Sequence, residues 1–236
     1  MELAGRLGVE EAPAPDLIRA LSALQRVEQI QGESPDLLVR QVEVIRYLVE
    51  PMTDRREAAR WARRGEILAF HLRQIAPARV EGYYYTALFL GFRAQNQRSV
   101  ALLLLPRMEE EGRRAVSVDE TYDDAGPLRF MGMLLIRAPA WPHGIGDTEE
   151  GVELLQRAVE IDDYPLNRLF LAQALIANGE AECGCEELAV VLDAPAEGRW
   201  ARTRARWLRE AEQVIDQNRC PRADEGIADA NEAPSM

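Results

Sequence analysis

The chain has 236 residues, 47% of them hydrophobic, and a formal net charge of −12, which suits one large or two small globular domains. All 28 cationic residues are arginines, so chemistry that needs a Schiff-base or P-loop lysine is excluded. The acidic balance repels phosphate, and we therefore expect neither nucleic acid nor an anionic membrane as partner. The longest apolar run, 100–105, is far too short to cross a bilayer.

Apolar residues recur with the helical period along almost the whole chain, and alternating strand patterns are nearly absent. Prolines and glycines mark the boundaries between the periodic segments. The predicted helices span 16–30, 35–49, 54–76, 80–96, 98–118, 127–137, 148–161, 165–177, 180–192 and 198–218. The sequence therefore predicts an all-α fold.

These segments divide the chain into three parts. Residues 16–218 form one predicted helical-repeat domain, preceded by a flexible N-terminus over 1–15. The tail 219–236 is rich in Pro, Ala, Asp and Glu without periodicity, and we expect it to be disordered.

A repeated triplet predicts how the helices are arranged. Phe89-Leu90-Gly91, Phe130-Met131-Gly132 and Phe170-Leu171-Ala172 recur with spacings of 41 and 40 residues, each in the middle of a predicted helix. The small third residue is expected to let a paired helix approach closely, while its large neighbours fill the space between units. The pattern favours stacked antiparallel helix pairs over a generic bundle.

Two glycine pairs support the same repeat. Gly146 maps to Gly179 and Gly151 maps to Gly184 with a shift of 33 residues. A glycine directly after the first helix of each pair is expected to supply a left-handed turn.

At this level the sequence resembles tetratricopeptide repeats. The positions that follow the spacing of that family are Leu171, Ala172, Leu175, Gly179, Gly184, Leu188 and Val191. The resemblance is clearest over 79–193. It implies a tetratricopeptide-like α-solenoid in which 198–218 is a capping helix.

A narrower resemblance covers about half of the chain. The run 119–132, the proline-rich segment 138–142, the segment 144–147 and the pair Arg157-Ala158 are similar to the T component of tripartite ATP-independent periplasmic (TRAP) transporters. That family consists of tetratricopeptide-like bacterial lipoproteins thought to form trimers and to associate with a transporter's substrate-binding component. The resemblance implies such a protein partner and leaves a homo-oligomer open.

The start of the sequence carries no secretory signal and no cysteine that could hold a lipid. As written, it predicts a soluble cytoplasmic protein; a different start site would predict a periplasmic one. Cys183, Cys185 and Cys220 form no even disulfide framework, so no bridge is expected. With two histidines in the chain, we also expect no metal site and no cofactor.

Further segments are candidates for a functional role. The acidic run 119–124 lacks the spacing of a calcium loop and is interpreted as a solvated turn, while Asp147 and Glu150 are interpreted as a helix cap. Tyr83, Tyr84 and Tyr85 span about 200° of a helix, so at least one is expected to face a groove or a partner.

In tetratricopeptide repeats, the first helix of each pair lines the concave surface. Carried over by that resemblance, the groove residues are Tyr85, Leu88, Phe92, Gln95, Asn96, Arg129, Met133, Ile136, Arg137 and Gln173. This mixture of apolar, amide and guanidinium groups suits a peptide or a small apolar or carboxylate ligand.

The sequence thus predicts a non-catalytic binding or scaffold module whose groove docks a partner protein. The alternative is a carrier that holds a small apolar or carboxylate ligand in an internal cavity. An enzyme is not expected, since no nucleophile with a base, metal cluster or cofactor fingerprint is visible.

Overall fold

The computed structural model describes residues 12–194 and 204–221, and within them all ten predicted helices are present. The helices are α1 Ala14–Gln31, α2 Pro35–Val49, α3 Arg55–Ile75, α4 Val80–Asn96, α5 Ala101–Val118, α6 Tyr122–Arg137, α7 Thr148–Ile161, α8 Pro165–Ala177, α9 Ala181–Leu192 and α10 Arg204–Asn218. A short 3₁₀ turn precedes α5. No strand occurs in the described ranges, which confirms the all-α prediction. The predictions for 1–11, 198–203 and 222–236 lie outside the described residues.

Each helix packs against the next one along the chain, as in a solenoid. In addition, α2 contacts α4, α4 contacts α6, α6 contacts α8, and α8 contacts α10, whereas the odd-numbered helices make no such contacts within the described part of the chain. The even-numbered helices therefore form an inner layer and the odd-numbered helices form an outer one.

Local signals explain where several helices begin. The carboxylate of Asp54 accepts hydrogen bonds from the backbone N–H groups of the first turn of α3, and that of Asp147 accepts from Glu150 N at 3.0 Å at the start of α7. Pro35 and Pro165 occupy the first positions of α2 and α8, where a missing N–H costs nothing. The predicted Asp147 cap is confirmed.

The two C-terminal units repeat one close backbone contact. A methyl group added at Gly132 would lie 2.9 Å from the carbonyl oxygen of Gly151, and one added at Gly184 would lie 2.8 Å from that of Ala172. Small residues at these positions thus let α6 approach α7 and α8 approach α9. The first triplet is different, because the nearest atom to a methyl group at Gly91 is Phe130 Cε2 at 3.4 Å. The prediction of close approach at Gly91 is wrong.

The glycine turns follow the prediction only in part. Gly179, two residues after the end of α8, has φ of +90°, as expected for a left-handed turn. Gly146 does not have positive φ; it is needed because an added methyl group would lie 2.2 Å from the carbonyl oxygen of Ala138. The first unit has Gln97 at this boundary, with φ of −132°. The expected left-handed glycine therefore occurs in the last unit alone among the three.

The expectation of no disulfide is wrong. Cys185 on α9 is bonded to Cys220, just beyond α10, with their Cα atoms 5.4 Å apart, while Cys183 is free and exposed. The two bonded residues are separated by 35 positions, so no local pattern pairs them. The bridge ties the end of α10 to α9.

This pairing predicts how many thiols titrate. Unfolded protein prepared without reductant should react with one equivalent of a thiol reagent per chain, and reduced protein with three. Cys183 should be the residue modified in the first sample, identified by mass spectrometry of its peptide. Three reactive thiols without reductant would contradict the pairing.

Two further features concern the described residues. None of their helices is long and apolar enough to span a bilayer. Within 12–194 and 204–221, no group of three or more His, Cys, Asp or Glu residues is placed to hold a metal ion.

Candidate functional site

The inner layer lines a partly open cavity of about 520 Å³ on its concave side. This volume lies within the range of small-molecule pockets. Its walls are supplied by α2, α4, α6, α8 and α10, by the first turns of α5 and by the start of the loop after α6.

The middle of the cavity is apolar. It is lined by Leu88, Gly91, Phe92, Leu105, Met108, Phe130, Met133, Leu134 and Phe170. These residues are buried or half-buried, and they belong to the repeat triplets or lie within one turn of them, except for the two from α5. The repeat therefore produces both the core between helices and the lining of the cavity.

The cavity has two ends of different character. Its outer end carries the exposed residues Gln95, Leu102, Arg137 and Pro139. We call the opposite end the arginine end; it is formed by Arg46, Glu50, Tyr84, Arg129 and Arg206. Arg129 and Arg137 lie eight residues apart on α6, which separates the two ends by about 12 Å along that helix.

Asp123 organises the arginine end from just behind the cavity wall. Its Oδ2 accepts hydrogen bonds from Arg46 Nη1 at 2.9 Å and from the hydroxyl of Tyr84 at 2.7 Å. Arg129 Nη2 lies 3.6 Å from the same oxygen. Burial alone would raise the pKa of Asp123, but the two guanidinium groups and the Tyr84 hydroxyl hold it below its ordinary value of 3.8. The carboxylate is therefore ionised at neutral pH.

Asp123 begins a left-handed turn of three consecutive residues. Asp123, Asp124 and Ala125 have φ of 54°, 55° and 61°, a conformation that costs about 1–2 kcal/mol for each residue that is not glycine. Arg129 holds the turn by donating to the carbonyl oxygens of Asp123 at 3.1 Å and Asp124 at 2.8 Å. Asn167 donates to the Asp124 carbonyl as well, at 3.0 Å. The prediction of a solvated turn is wrong for Asp123, which is half-buried and bonded within the site.

An ion pair joins the last helix, α10, to the end of the second helix, α2. Arg206 on α10 forms an ion pair with Glu50 at the end of α2, across 156 positions of sequence. Burial raises the pKa of Glu50, but Arg46 and Arg206 outweigh it and keep the pKa below the ordinary value. This pair joins the ends of the curved layer, so the cavity is bounded on this side as well.

A second connection runs from the outer end to α10. Arg137 Nη2 donates to Gln173 Oε1 at 3.3 Å, and Gln173 Nε2 donates to Glu210 Oε1 at 3.0 Å. Glu210 lines the cavity, whereas Gln173 lies behind it. Together with the Arg206 ion pair, this chain fixes the side of α10 that faces the cavity.

The structure brings together six of the ten groove residues predicted from the sequence. Those that line the cavity are Leu88, Phe92, Gln95, Arg129, Met133 and Arg137. The remaining four take part in packing or hydrogen bonds outside the lining: Tyr85 bonds to Tyr122, Asn96 donates to the carbonyl of Phe92, Ile136 packs against α7, and Gln173 bonds to Glu210.

Sequence reasoning missed some lining residues on the expected helices, such as Gly91, Phe130 and Phe170, and all of those on α2, α5 and α10. Arg46, Glu50, Leu105, Met108 and Arg206 lie on helices that the resemblance did not place on the concave surface. Tyr83, Tyr84 and Tyr85 are all buried, with 8%, 3% and 1% of their surface exposed. Tyr84 nevertheless faces the cavity, so one of the three does reach a groove.

The tyrosines are all buried because α4 has neighbours on several sides. It packs against α3, α5, α2 and α6, and each hydroxyl finds a partner: Pro77 O for Tyr83, Asp123 for Tyr84 and Tyr122 for Tyr85. The neighbouring helices therefore decide how much of the circumference of a helix is buried. The periodicity of apolar residues in the helix itself does not show where those neighbours lie.

Comparison with known proteins found no family model that matches the chain and no curated protein that matches it. What the fold defines is an all-α, solenoid-like protein with a partly open cavity lined by its inner layer.

Proposed function

We propose that this protein is a non-catalytic binding protein that holds a small, mostly apolar ligand in the cavity of its inner layer. The carrying observation is the cavity itself. Its volume is about 520 Å³, its middle is lined by apolar side chains, and the Arg206–Glu50 ion pair joins α10 to α2 along one side of it. A cavity of this volume suits a small molecule, whereas an open groove would suit a helix of a partner.

The first test is native mass spectrometry of gently purified protein. It gives the subunit count and the mass of any bound small molecule in one spectrum. A bound apolar compound supports the carrier, and the subunit count decides between a monomer and the homo-oligomer that the TRAP T-component resemblance implies.

Filling the cavity should abolish binding without damaging the fold. A side chain at Gly91 would meet only Phe130 and Met108, at 3.4 and 3.8 Å, and all three residues line the cavity. For Gly91→Leu we expect at least a tenfold loss of affinity for the neutral fluorescent probe N-phenylnaphthylamine. We expect the free energy of unfolding to stay constant or to rise by about 1 kcal/mol, since glycine is unfavourable within a helix.

Gly91→Ala is the matched control, because it makes the same backbone change with one methyl group in the cavity. This variant should retain probe binding within about threefold and gain a similar stability. Unchanged probe affinity in Gly91→Leu would show that the cavity is not the binding site.

A second candidate function is docking of a protein partner at the outer end. Leu102, Leu103 and Trp141 are 62%, 77% and 85% exposed, and Leu102 and the 138–139 segment before Trp141 also line the cavity. Apolar side chains so close to the opening suit a partner that receives or delivers the ligand. The T-component resemblance suggests a transporter's substrate-binding component in this role. A bare monomer in the native spectrum would favour the scaffold over the carrier.

The disulfide bears on the compartment. Disulfides persist in oxidising environments, so the Cys185–Cys220 bridge favours the periplasm over the cytoplasm that the sequence as written predicts. Trapping thiols in intact cells before lysis tests this: one modified cysteine per chain supports the periplasm, and three support the cytoplasm.

A further inference from the structure

The third helix has a charge opposite to that of the whole chain. Between 55 and 75 the sequence has six arginines and two glutamates, within a protein whose formal net charge is −12. By contrast, residues 148–193 contain eleven acidic residues and two arginines. The structure describes α3 in full; this helix belongs to the outer layer, and none of its residues lines the cavity.

One face of α3 holds most of its exposed arginines. Arg56, Arg60, Arg63 and Ile67 follow each other at intervals of four, three and four residues, so they lie within about 60° of the helix circumference. All four residues are exposed, Ile67 to 56%. We call this set the α3 stripe. It is about 16 Å long.

The two glutamates of α3 do not neutralise the stripe. Glu57 and Glu66 lie about 90° to either side of its middle. Glu66 is 3% exposed, and its Oε1 accepts hydrogen bonds from Arg63 Nη1 at 3.0 Å and Arg107 Nη1 at 3.2 Å. Arg93 Nη1 donates to Oε2 of the same residue. One buried carboxylate therefore holds three guanidinium groups, and the Arg63 side chain remains 55% exposed.

Positive charge remains in excess when the neighbouring groups are counted. Residues 54–66 with Arg93 and Arg107 hold seven arginines and three carboxylates. The next turn of α5 adds Glu110 and Glu111, and Glu111 pairs with Arg73 on α3. Eight arginines then face five carboxylates, so the surface around the stripe is positive.

Two arginines of the stripe have no role in the fold. Arg56 and Arg60 form no ion pair with any residue in 12–194 or 204–221. Arg60 forms like-charge pairs with Arg56 and Arg64 at i, i+4 and with Arg63 at i, i+3, and such pairs disfavour a helix. Arg56 also lies in the first turn, where the helix dipole disfavours a cation. Residues that contradict local rules in this way are expected at functional surfaces.

We infer that the α3 stripe docks an acidic helix of a partner protein. Carboxylates at intervals of four and three residues on that helix face the guanidinium groups, and an apolar residue one turn further contacts Ile67. Arginine is enriched at protein interfaces because its planar fork binds carboxylates in two places at once. The inference goes beyond the proposed function, because α3 lies outside the cavity and docking there needs no bound ligand.

A long nucleic acid suits the stripe less well than a helix does. Duplex DNA carries a charge about every 1.7 Å of its axis and extends far beyond the stripe. Its phosphates would then lie over a chain whose net charge is −12. A short acidic helix places its charges on the positive surface alone.

Two synthetic peptides test the chemistry of the partner. The first is an alanine-based helix of about 20 residues with glutamates at intervals of four and three residues and a leucine one turn later. The second has glutamines in place of the glutamates. Fluorescence anisotropy with the full chain at low salt should give the glutamate peptide at least about tenfold higher affinity, and added salt should reduce the difference. Equal affinities would overturn the inference. Tighter binding of a DNA duplex of similar length would also overturn it and assign the stripe to nucleic acid.

A double variant locates the binding. Arg56→Gln/Arg60→Gln should weaken the glutamate peptide about tenfold and change the glutamine peptide less than about twofold, because only charge is removed. Its urea midpoint should stay constant or rise, since the like-charge pairs are lost. Binding of N-phenylnaphthylamine should be unchanged, so failure of this inference is distinguishable from failure of the proposed function.

Arg19→Gln/Arg26→Gln is the matched control, because it removes the same charge from exposed positions of the outer helix α1. It should change the affinity for the glutamate peptide less than about twofold. If the control weakens the peptide as much as Arg56→Gln/Arg60→Gln does, the attraction comes from the overall charge of the chain, and the assignment to the α3 stripe fails.

Discussion

Replacing Arg129 with methionine should lower the free energy of unfolding by about 3–5 kcal/mol, the usual cost of breaking a buried charged network. Methionine keeps much of the apolar stem of the side chain but none of the donors. Asp123 would lose one of its two ion-pair partners, and the carbonyl oxygens of Asp123 and Asp124 would lose theirs. The left-handed turn at 123–125 would then keep its backbone strain without the side chain that holds it.

The matched control lies eight residues along the same helix. Arg137→Met makes the same chemical change, but Arg137 is exposed and has a single hydrogen bond, of 3.3 Å, to Gln173. We expect it to change the free energy of unfolding by less than about 0.5 kcal/mol. Urea unfolding followed by circular dichroism measures both variants. Equal midpoints for the two would contradict the role assigned to Arg129.

The difference should also depend on pH with a definite sign. The pKa of Asp123 is lowered in the folded protein, so its ion pairs stabilise the fold above the ordinary pKa of 3.8 and lose this effect as pH falls through the lowered value. The gap between Arg129→Met and the parent should therefore be complete at neutral pH and shrink below about pH 4.

The helices could be predicted from the sequence because the signals for them are local. The helical period, the prolines at the first positions of α2 and α8, and the cap at Asp147 all act within a few residues. Part of the inner layer could also be predicted, because the Phe-x-small repeat places α4, α6 and α8 in equivalent positions. Six of the ten expected groove residues lie on the cavity for this reason.

The rest of the site depends on contacts between distant parts of the chain. Arg206 and Glu50 are separated by 156 positions, and Cys185 and Cys220 by 35. No short segment of sequence contains both partners of either pair, because the packing of the whole inner layer decides which residues meet. The left-handed turn was missed because residues other than glycine adopt it only where side chains satisfy its carbonyl groups. Arg129 does so from five and six residues along the chain, and Asn167 does so from α8.

Gly91 shows the limit of repeat reasoning most clearly. It occupies the same place in its triplet as Gly132, and the sequence gives both the same interpretation. In the structure, Gly91 faces the cavity and Gly132 faces the backbone of α7. The same substitution, glycine to leucine, is therefore expected to destabilise the fold at Gly132 but not at Gly91.

Gly132→Leu should lower the free energy of unfolding by at least about 3 kcal/mol, at the upper end of what overpacking costs. Even the first carbon of a side chain there would lie 2.6 Å from Leu155 Cγ and 2.9 Å from the carbonyl oxygen of Gly151. Leu155 is fully buried and Gly151 is backbone, so neither can move without separating α6 from α7. The damage should spread to the cavity, because Arg129, Met133 and Arg137 lie on the displaced helix.

Gly91→Leu is the comparison that isolates this effect, because it makes the same change at the matching position of the preceding repeat. Thermal and urea unfolding of the two variants should give opposite signs: a loss for Gly132→Leu and no loss, or a small gain, for Gly91→Leu. Probe binding should fail in both, in one because the cavity is deformed and in the other because it is filled. If Gly132→Leu unfolded at the same temperature as the parent protein, this would contradict the close packing of α6 against α7. The cavity that depends on this packing would then be in doubt as well.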